Sequence, residues 1–199
     1  MAKNFIVISN KRVILKQITS NKGALARRFR REFEPKLRKQ QEELVRDFED
    51  HPVTREIGGG PSATGSSGVT GGYGNLFSFI GFEAGSNPNA PLRQLFNRKI
   101  NYSVRSINSD GSFKITLQIP SLDEAFQVTP IPWASGSSWA EGIEKGISNI
   151  GSFVYKSSTP SSRSGTGLQV NKGAGAIFNN TPYISKIIKE FKKNLKNKS

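Results

Sequence analysis

The chain contains few side chains of the types that catalyse reactions or bind metals. It has one histidine, His51, and no cysteine. Thiol chemistry, disulfides and cysteine–zinc sites are therefore excluded, and any histidine-based triad or metal cluster would have to use His51. Because His51 lies between a predicted helix end and Pro52, a solvated or capping role explains it more simply than catalysis.

The carboxylates are scattered, and each has a local structural explanation. A pair for acid–base catalysis could come only from groups such as Asp110, Asp123, Glu124 and Glu141. Asp110 belongs to an Asp-Gly turn, Asp123 and Glu124 lie at a predicted helix start, and Glu141 belongs to a capping box. We therefore expect a protein that is not an enzyme, with no catalytic residue, no bound metal and no cofactor.

Residues 58–75 contain eight glycines, a composition found in phosphate-binding loops. The segment lacks the Lys-Ser or Lys-Thr ending of a P-loop and the G-x-G-x-x-G pattern of a dinucleotide site, and a helix precedes it where a strand is required. We therefore predict a flexible loop that a partner could order, and no phosphate site.

The positive charge is segregated at the two ends of the chain. The formal net charge is +14; residues 1–39 contribute +10, residues 186–199 contribute +5, and residues 40–185 contribute −1. This distribution predicts contact with a polyanion, most simply nucleic acid, through the ends of the chain. The alternative is a pair of solvated helix faces. The candidate residues for nucleic-acid or inter-subunit contact are Arg27, Arg28, Arg30, Arg31, Lys36, Arg38, Lys39, Lys189, Lys192 and Lys193.

A long amphipathic helix over residues 21–50 must position most of these cations. Its N-cap is Ser20 or Asn21, its end is marked by His51 and Pro52, and Pro35 predicts a kink or break near residues 31–34. Its first half is basic and its second half acidic, which suggests that basic and acidic ends of neighbouring copies meet. The apolar positions, mostly four apart, are Leu25, Phe29, Phe33, Leu37, Leu44 and Phe48.

A second basic amphipathic helix is predicted for residues 181–197. Thr181 is its expected N-cap, and Pro182 suits the first helical position. Its apolar stripe consists of Ile184, Ile187, Ile188, Phe191 and Leu195, and lysines cover the remaining surface.

Between these helices the sequence predicts a small antiparallel sheet. The clearest signal is a hairpin over residues 100–105 and 113–119, where apolar and polar residues alternate around an Asp-Gly turn. Capping boxes at Ser121 and Ser138 predict two short helices. Further strands are expected at residues 5–8, 76–82 and 147–156, with at most a short strand at 168–170, and residues 12–18 form either a strand or a helix.

The predicted fold class is α+β, with long N-terminal and C-terminal helices packed on a small antiparallel sheet and long Gly/Ser-rich loops. We expect an N-terminal arm (residues 1–20) and a single domain (residues 21–199). The domain comprises the long helix (21–50), the glycine-rich loop (58–75), the sheet region (76–156), a flexible loop (157–176) and the C-terminal helix (181–197).

Two tryptophans are candidate anchors of a core or an interface. Trp133 and Trp139 flank a Ser/Gly turn and are not interleaved with basic residues, which argues against base stacking. The chain has no apolar run of the roughly 18 residues that a membrane span needs. Its N-terminus lacks the pattern of a signal peptide, so we expect a protein assembled inside a cell with no membrane partner.

The order of these parts resembles the head–tail connector and tail-completion (neck) proteins of tailed bacteriophages. Residues 51–57 (HPVTREI) are similar to the segment that leads from the N-terminal helix into the sheet of those proteins, although Arg55 follows Thr54 where they have glycine. Residues 72–82 (GYGNLFSFIGF) and 178–185 (FNNTPYIS) are similar to segments of phage virion proteins.

The resemblance implies a structural virion protein that is assembled in the host cytoplasm. It implies a ring of identical subunits, about 6 or 12 copies, between the portal or connector and the tail proteins. Genomic DNA would pass through such a ring and be contacted without regard to its sequence. The alternative that the residues leave open is a general nucleic-acid-binding protein that uses its basic terminal helices.

Overall fold

The computed structural model of the protein describes residues 5–10, 22–71, 74–98, 100–106, 113–132, 134–145 and 180–197. The fold is α+β, as predicted. In chain order the elements are β1 (Phe5–Asn10), α1 (Lys22–Asp50), α2 (Pro52–Gly58), α3 (Leu76–Ile80), α4 (Ala90–Asn97), β2 (Asn101–Ser106), β3 (Phe113–Gln118), α5 (Leu122–Gln127), β4 (Pro130–Ile131), β5 (Ala134–Ser138), α6 (Trp139–Lys145) and α7 (Ile184–Asn197).

Helix α1 runs without interruption through Pro35, so the break predicted there is absent. Proline removes one backbone hydrogen bond, but the Pro35 ring faces solvent. Phe33 and Leu37 are buried on either side of it, and this packing holds the helix together. The helix ends at Asp50 as predicted, and α2 then begins at Pro52. The predicted N-cap, Ser20 or Asn21, lies outside the described residues.

The larger sheet has the strand order β1-β3-β2, with both pairs antiparallel. The predicted hairpin is confirmed for its strands, which pair from Asn101 with Gln118 to Ser106 with Phe113, while the turn lies outside the described residues. Ile115 and Leu117 of β3 are buried and belong to the hydrophobic core. Strand β1 pairs along the other edge of β3, so residues 5–10 belong to the sheet and not to a separate arm. Residues 12–18 lie outside the described residues.

The strand predicted for residues 76–82 is wrong, because Leu76–Ile80 forms helix α3. The side-chain oxygen of Asn75 accepts the Ser78 N–H at 2.9 Å and caps the start of the helix. Gly81, with φ +81°, ends it in the left-handed region that glycine adopts readily. The segment is buried as expected, but its capping residues and not its apolar run decide its conformation.

Helix α4 was not predicted. It begins with a proline in its first turn and buries Leu92, Leu95 and Phe96. Its C-terminal end is held by α1, since the Gln41 side-chain amide donates to the Phe96 and Arg98 carbonyls at 2.7 and 2.8 Å.

Both short helices predicted from capping boxes are present as α5 and α6. Ser121 and Glu124 form the complete reciprocal box at α5, and the Ser138 hydroxyl accepts the Glu141 N–H at α6. Strands β4 and β5 form a separate antiparallel pair between these helices. The predicted strands at 147–156 and 168–170, and the loop at 157–176, lie outside the described residues.

The C-terminal helix begins at Ile184, three residues later than predicted. Thr181 is not its N-cap, because residues 180–183 are not helical and Tyr183 directly precedes the first helical residue; the Thr181 N–H donates to the Ile143 carbonyl. The predicted apolar stripe is confirmed, with every member at most 4% exposed: Ile184, Ile187, Ile188, Phe191 and Leu195.

An aromatic cluster lies where α1, α6 and the segment before α7 meet. Trp139 is 1% exposed, with the Phe82 ring 5.8 Å away edge-on and the Tyr183 ring 6.3 Å away. Phe48 packs between Phe96 and Tyr183. Trp139 is therefore a core residue of this chain and not the interface anchor considered above. Trp133 lies outside the described residues.

Candidate nucleic-acid interface

The outward side of α7 carries a row of cations. Four lysines recur at steps of three, four and three residues, which places them on one side of a helix. All four are exposed, and none belongs to an ion pair within the described part of the chain. We call them the lysine face: Lys186, Lys189, Lys193 and Lys196.

Helix α7 is fixed to the body at its start. The Tyr183 hydroxyl lies 2.7 Å from the Thr54 hydroxyl in the core, and the Glu144 carboxylate of α6 accepts the Ser185 N–H at 2.7 Å. A carboxylate at this position accepts a hydrogen bond from a backbone N–H that has no partner within the helix. Its negative charge also interacts favourably with the positive end of the helix dipole. With its apolar stripe buried, α7 holds the lysine face rigidly.

Helix α7 runs antiparallel along α1. The Tyr183 ring lies 4.8 Å from the His51 ring, and seven residues later Glu190 is close enough to Asp47 to influence it. Burial raises the pKa of Asp47, Arg46 opposes this rise, and Glu190 adds to it. Glu190 is the single carboxylate of α7; it lies one helical turn after Lys186 and is exposed at the edge of the lysine face nearest α1.

A second row of cations lies on α1. Three exposed arginines, separated by four and seven residues, share one side of the helix. We call them the arginine face: Arg27, Arg31 and Arg38. Arg30, Lys36 and Lys39 are also exposed, Lys192 is half-exposed, and the side chain of Arg28 lies outside the described residues.

The structure does not bring all the candidate cations into one patch. The side of α1 that faces α7 carries Asp47, whereas the arginine face is turned toward the opposite side of the helix, by the helical repeat. The two basic ends of the sequence thus form two rows on different sides of the α1–α7 pair.

The acidic half of α1 has partners within the chain. Glu49 forms a two-pronged ion pair with Arg93 of α4, with the second contact at 2.9 Å, and Asp50 pairs with Arg55 of α2 at 2.6 Å. These two carboxylates are therefore engaged within the chain, and the contact between acidic and basic ends of neighbouring copies stays a prediction. Because the pairs neutralise charges of the body, the positive surplus remains on the terminal helices.

The residues considered for catalysis have structural roles. His51 Nδ1 accepts the Val53 N–H at 3.3 Å and caps α2, as predicted. Glu124 completes its capping box and contacts Arg98 at 3.1 Å, and Glu141 pairs with Lys145 at 2.7 Å. Asp123 is exposed, and Asp110 lies outside the described residues.

His51 is half-buried at the junction of α1, α2 and α7. Burial lowers the pKa of His51 below its ordinary value, and the nearby Lys186 ammonium lowers it further. A hydrogen bond to the Pro182 backbone and the negative charge of Glu190 oppose this shift. The neutral ring that results can accept the α2 hydrogen bond.

A buried carboxylate that sequence reasoning missed organises the glycine-rich segment. Glu56 is 1% exposed, and its two oxygens accept the N–H groups of Ser67 and Leu76, each at 2.7 Å. The Asn75 amide donates to the Pro61 and Ala63 carbonyls at 2.8 and 3.0 Å. The described part of this segment is therefore held by the chain itself, contrary to the flexible loop predicted. The sequence offered one sign of this role: Glu56 is an acidic residue on the buried side of a helix.

Within the residues that the structure covers, no three or more His, Asp or Glu side chains are grouped closely enough to hold a metal ion. Over the same residues, no helix combines the length and the apolar character required to cross a membrane.

Comparison of the whole chain with protein-family models, with curated proteins and with solved structures found no match in any of the three.

Proposed function

We propose that the protein is a non-enzymatic structural protein of the phage neck, which assembles into a ring and contacts DNA through its basic helices. The observation that carries the DNA contact is the row of exposed lysines on α7, whose other side is buried. The ring and its neighbours, portal or connector proteins on one side and tail proteins on the other, rest on the resemblance of the sequence.

The charge arrangement supports contact with DNA of any sequence. Duplex DNA carries one negative charge per about 1.7 Å of its axis. Repeating the basic helices around a ring multiplies a modest charge per subunit into a strong field. Lysines on a rigid helix are point charges, which suit phosphate contact without base recognition.

The structural roles of the candidate catalytic groups support a non-enzymatic function. His51 caps a helix, Glu124 completes the capping box of α5, and Glu141 forms an ion pair with Lys145. In each case the side chain is already engaged in the fold.

The oligomeric state tests the ring. Native mass spectrometry and negative-stain images of the full chain, alone and with DNA, should show discrete closed rings with one copy number. A protein that stays monomeric over a wide concentration range, with and without DNA and with lysate of phage-infected cells, contradicts the proposal. Detection of the chain at the neck of purified particles by labelled antibody would locate it in the virion.

A second candidate is a general nucleic-acid-binding protein that acts as a single chain. The lysine face favours it, because all four residues belong to one subunit and need no neighbour. This candidate predicts binding to duplex DNA with a stoichiometry set by the monomer, and no ring. A measurement of mass and stoichiometry on the same DNA complex separates the two.

A further inference from the structure

We infer that the lysine face of α7, and not the arginine face of α1, is the surface that follows the phosphate backbone of duplex nucleic acid. This inference rests on the proposed function, since it names the surface that makes the proposed contact. It divides the basic residues, which the sequence treats as one group, into two rows with different roles.

The first support is the geometry of the row. From Lys186 to Lys196 the helix advances about 15 Å at ~1.5 Å per residue. That length of duplex presents on the order of nine phosphate charges at one per ~1.7 Å. Each lysine of the row can therefore meet a phosphate, whereas the arginine face has three cations spread over a similar length.

The second support is that the lysines of the row are not engaged in ion pairs within the described part of the chain. Glu190, the one carboxylate of α7, lies at the edge of the row, one turn after Lys186, and its charge also acts on Asp47 of α1 and on His51. The cations of the lysine face form no ion pair with the described carboxylates, so binding a phosphate breaks no existing contact. On α1, Glu32 and Glu42 are exposed along the same helix as the arginine face.

The third support is rigidity. The five apolar residues of α7 are buried, and both Tyr183 and Ser185 fasten its start to other elements. Binding therefore requires no ordering of the helix, and the entropy lost is confined to the lysine side chains.

The same packing distinguishes nucleic acid from a lipid surface as the partner. A basic amphipathic helix binds membranes by inserting its apolar side. In α7 that side forms part of the core, with Ile184 fully buried and Phe191 4% exposed. Only the charged side is available, which fits phosphates presented along a rod.

The test compares two matched triple variants of the full chain for binding to a duplex DNA oligomer across a salt series. In one, Lys189, Lys193 and Lys196 become Gln; in the other, Arg27, Arg31 and Arg38 become Gln. Both remove three exposed cations from one side of one helix. Circular dichroism and thermal melting establish that each variant is folded like the parent protein.

We expect the lysine variant to lose at least tenfold in affinity and to reduce the slope of log K against log salt by about 2.7, at ~0.9 per phosphate contact. The arginine variant should retain both affinity and slope.

Loss of affinity in the arginine variant alone, or equal loss in both variants, overturns the inference but leaves the proposed DNA contact intact. Failure of the unaltered protein to bind DNA refutes the proposed contact itself. Preferential binding to vesicles of anionic lipid over DNA overturns the choice of partner.

Discussion

Tyr183 and Thr54, which are 129 residues apart in the chain, share a buried hydrogen bond of 2.7 Å between their hydroxyl oxygens. The contact joins α2 to the segment that leads into α7. Burial raises the pKa of Tyr183 well above its usual range, so the phenol stays neutral and the bond persists at ordinary pH. Because α7 carries the lysine face, this pair links the core of the protein to its proposed interface.

Replacing Tyr183 with Phe should lower the free energy of unfolding by about 1–2 kcal/mol, because the Thr54 hydroxyl loses its buried partner. Urea denaturation measures the loss. A double-mutant cycle with Thr54→Val provides the control, and we expect a coupling energy of about 1 kcal/mol between the two sites. Strictly additive effects would show that the hydrogen bond contributes nothing to stability.

Lowering the pH should reduce the stability of the protein through His51, which lies at the junction of α1, α2 and α7. The folded-state pKa of His51 lies below its ordinary value of 6.5, so the unfolded chain binds this proton more readily. Its contribution to stability is therefore complete above about pH 6.5 and declines as the pH falls toward the folded-state pKa. Protonation of Nδ1 would also remove the acceptor of the Val53 N–H.

Urea midpoints at about pH 7.5 and about pH 5.5 measure this effect. His51→Asn is the matched control, since Asn can cap α2 but does not titrate. We expect the unaltered protein to lose more stability than this variant over the interval. An equal loss in both would assign the pH dependence to other groups.

Replacing Glu56 with Gln should open the glycine-rich segment. An amide has one accepting oxygen, so only one of the two N–H donors, Ser67 or Leu76, keeps its partner. We expect a loss of about 1–3 kcal/mol and faster hydrogen exchange at one of these two amides. Glu42→Gln alters an exposed carboxylate of α1 and should stay within about 0.5 kcal/mol of the parent. Unchanged exchange at both amides would refute the role of Glu56.

Replacing Gly65 with Ala should destabilise the same segment by about 1–3 kcal/mol. An added Cβ at Gly65 would lie 2.5 Å from the Gly74 carbonyl oxygen, so the two backbone stretches could not remain as close. Gly58→Ala is the control, because its Cβ would meet only the Asn89 side chain, at 3.3 Å. Thermal melting of both variants measures the difference, and the prediction fails if Gly58→Ala is the more damaging change.

Local signals in the sequence identified several elements correctly. The alternation around the hairpin, the Ser121 capping box and the apolar stripe of α7 each depend on residues within a few positions of one another. The strand predicted for residues 76–82 is wrong, and the reason lies in its length and its ends. A short apolar run suits a buried strand or a buried helix equally, and Asn75 and Gly81, which decide between them, lie at its two ends.

The sequence by itself determined the α+β class, the two amphipathic helices and the concentration of positive charge on them. Periodicity and composition are properties of residues close together in the chain, and they do not depend on how the helices and strands pack. The tertiary structure alone decided that the two basic ends form separate rows, that Trp139 belongs to the core and that Glu56 holds the glycine-rich segment. Those facts depend on contacts between residues that are distant in the chain. Such contacts occur at no characteristic spacing, so a single sequence contains no pattern that would reveal them.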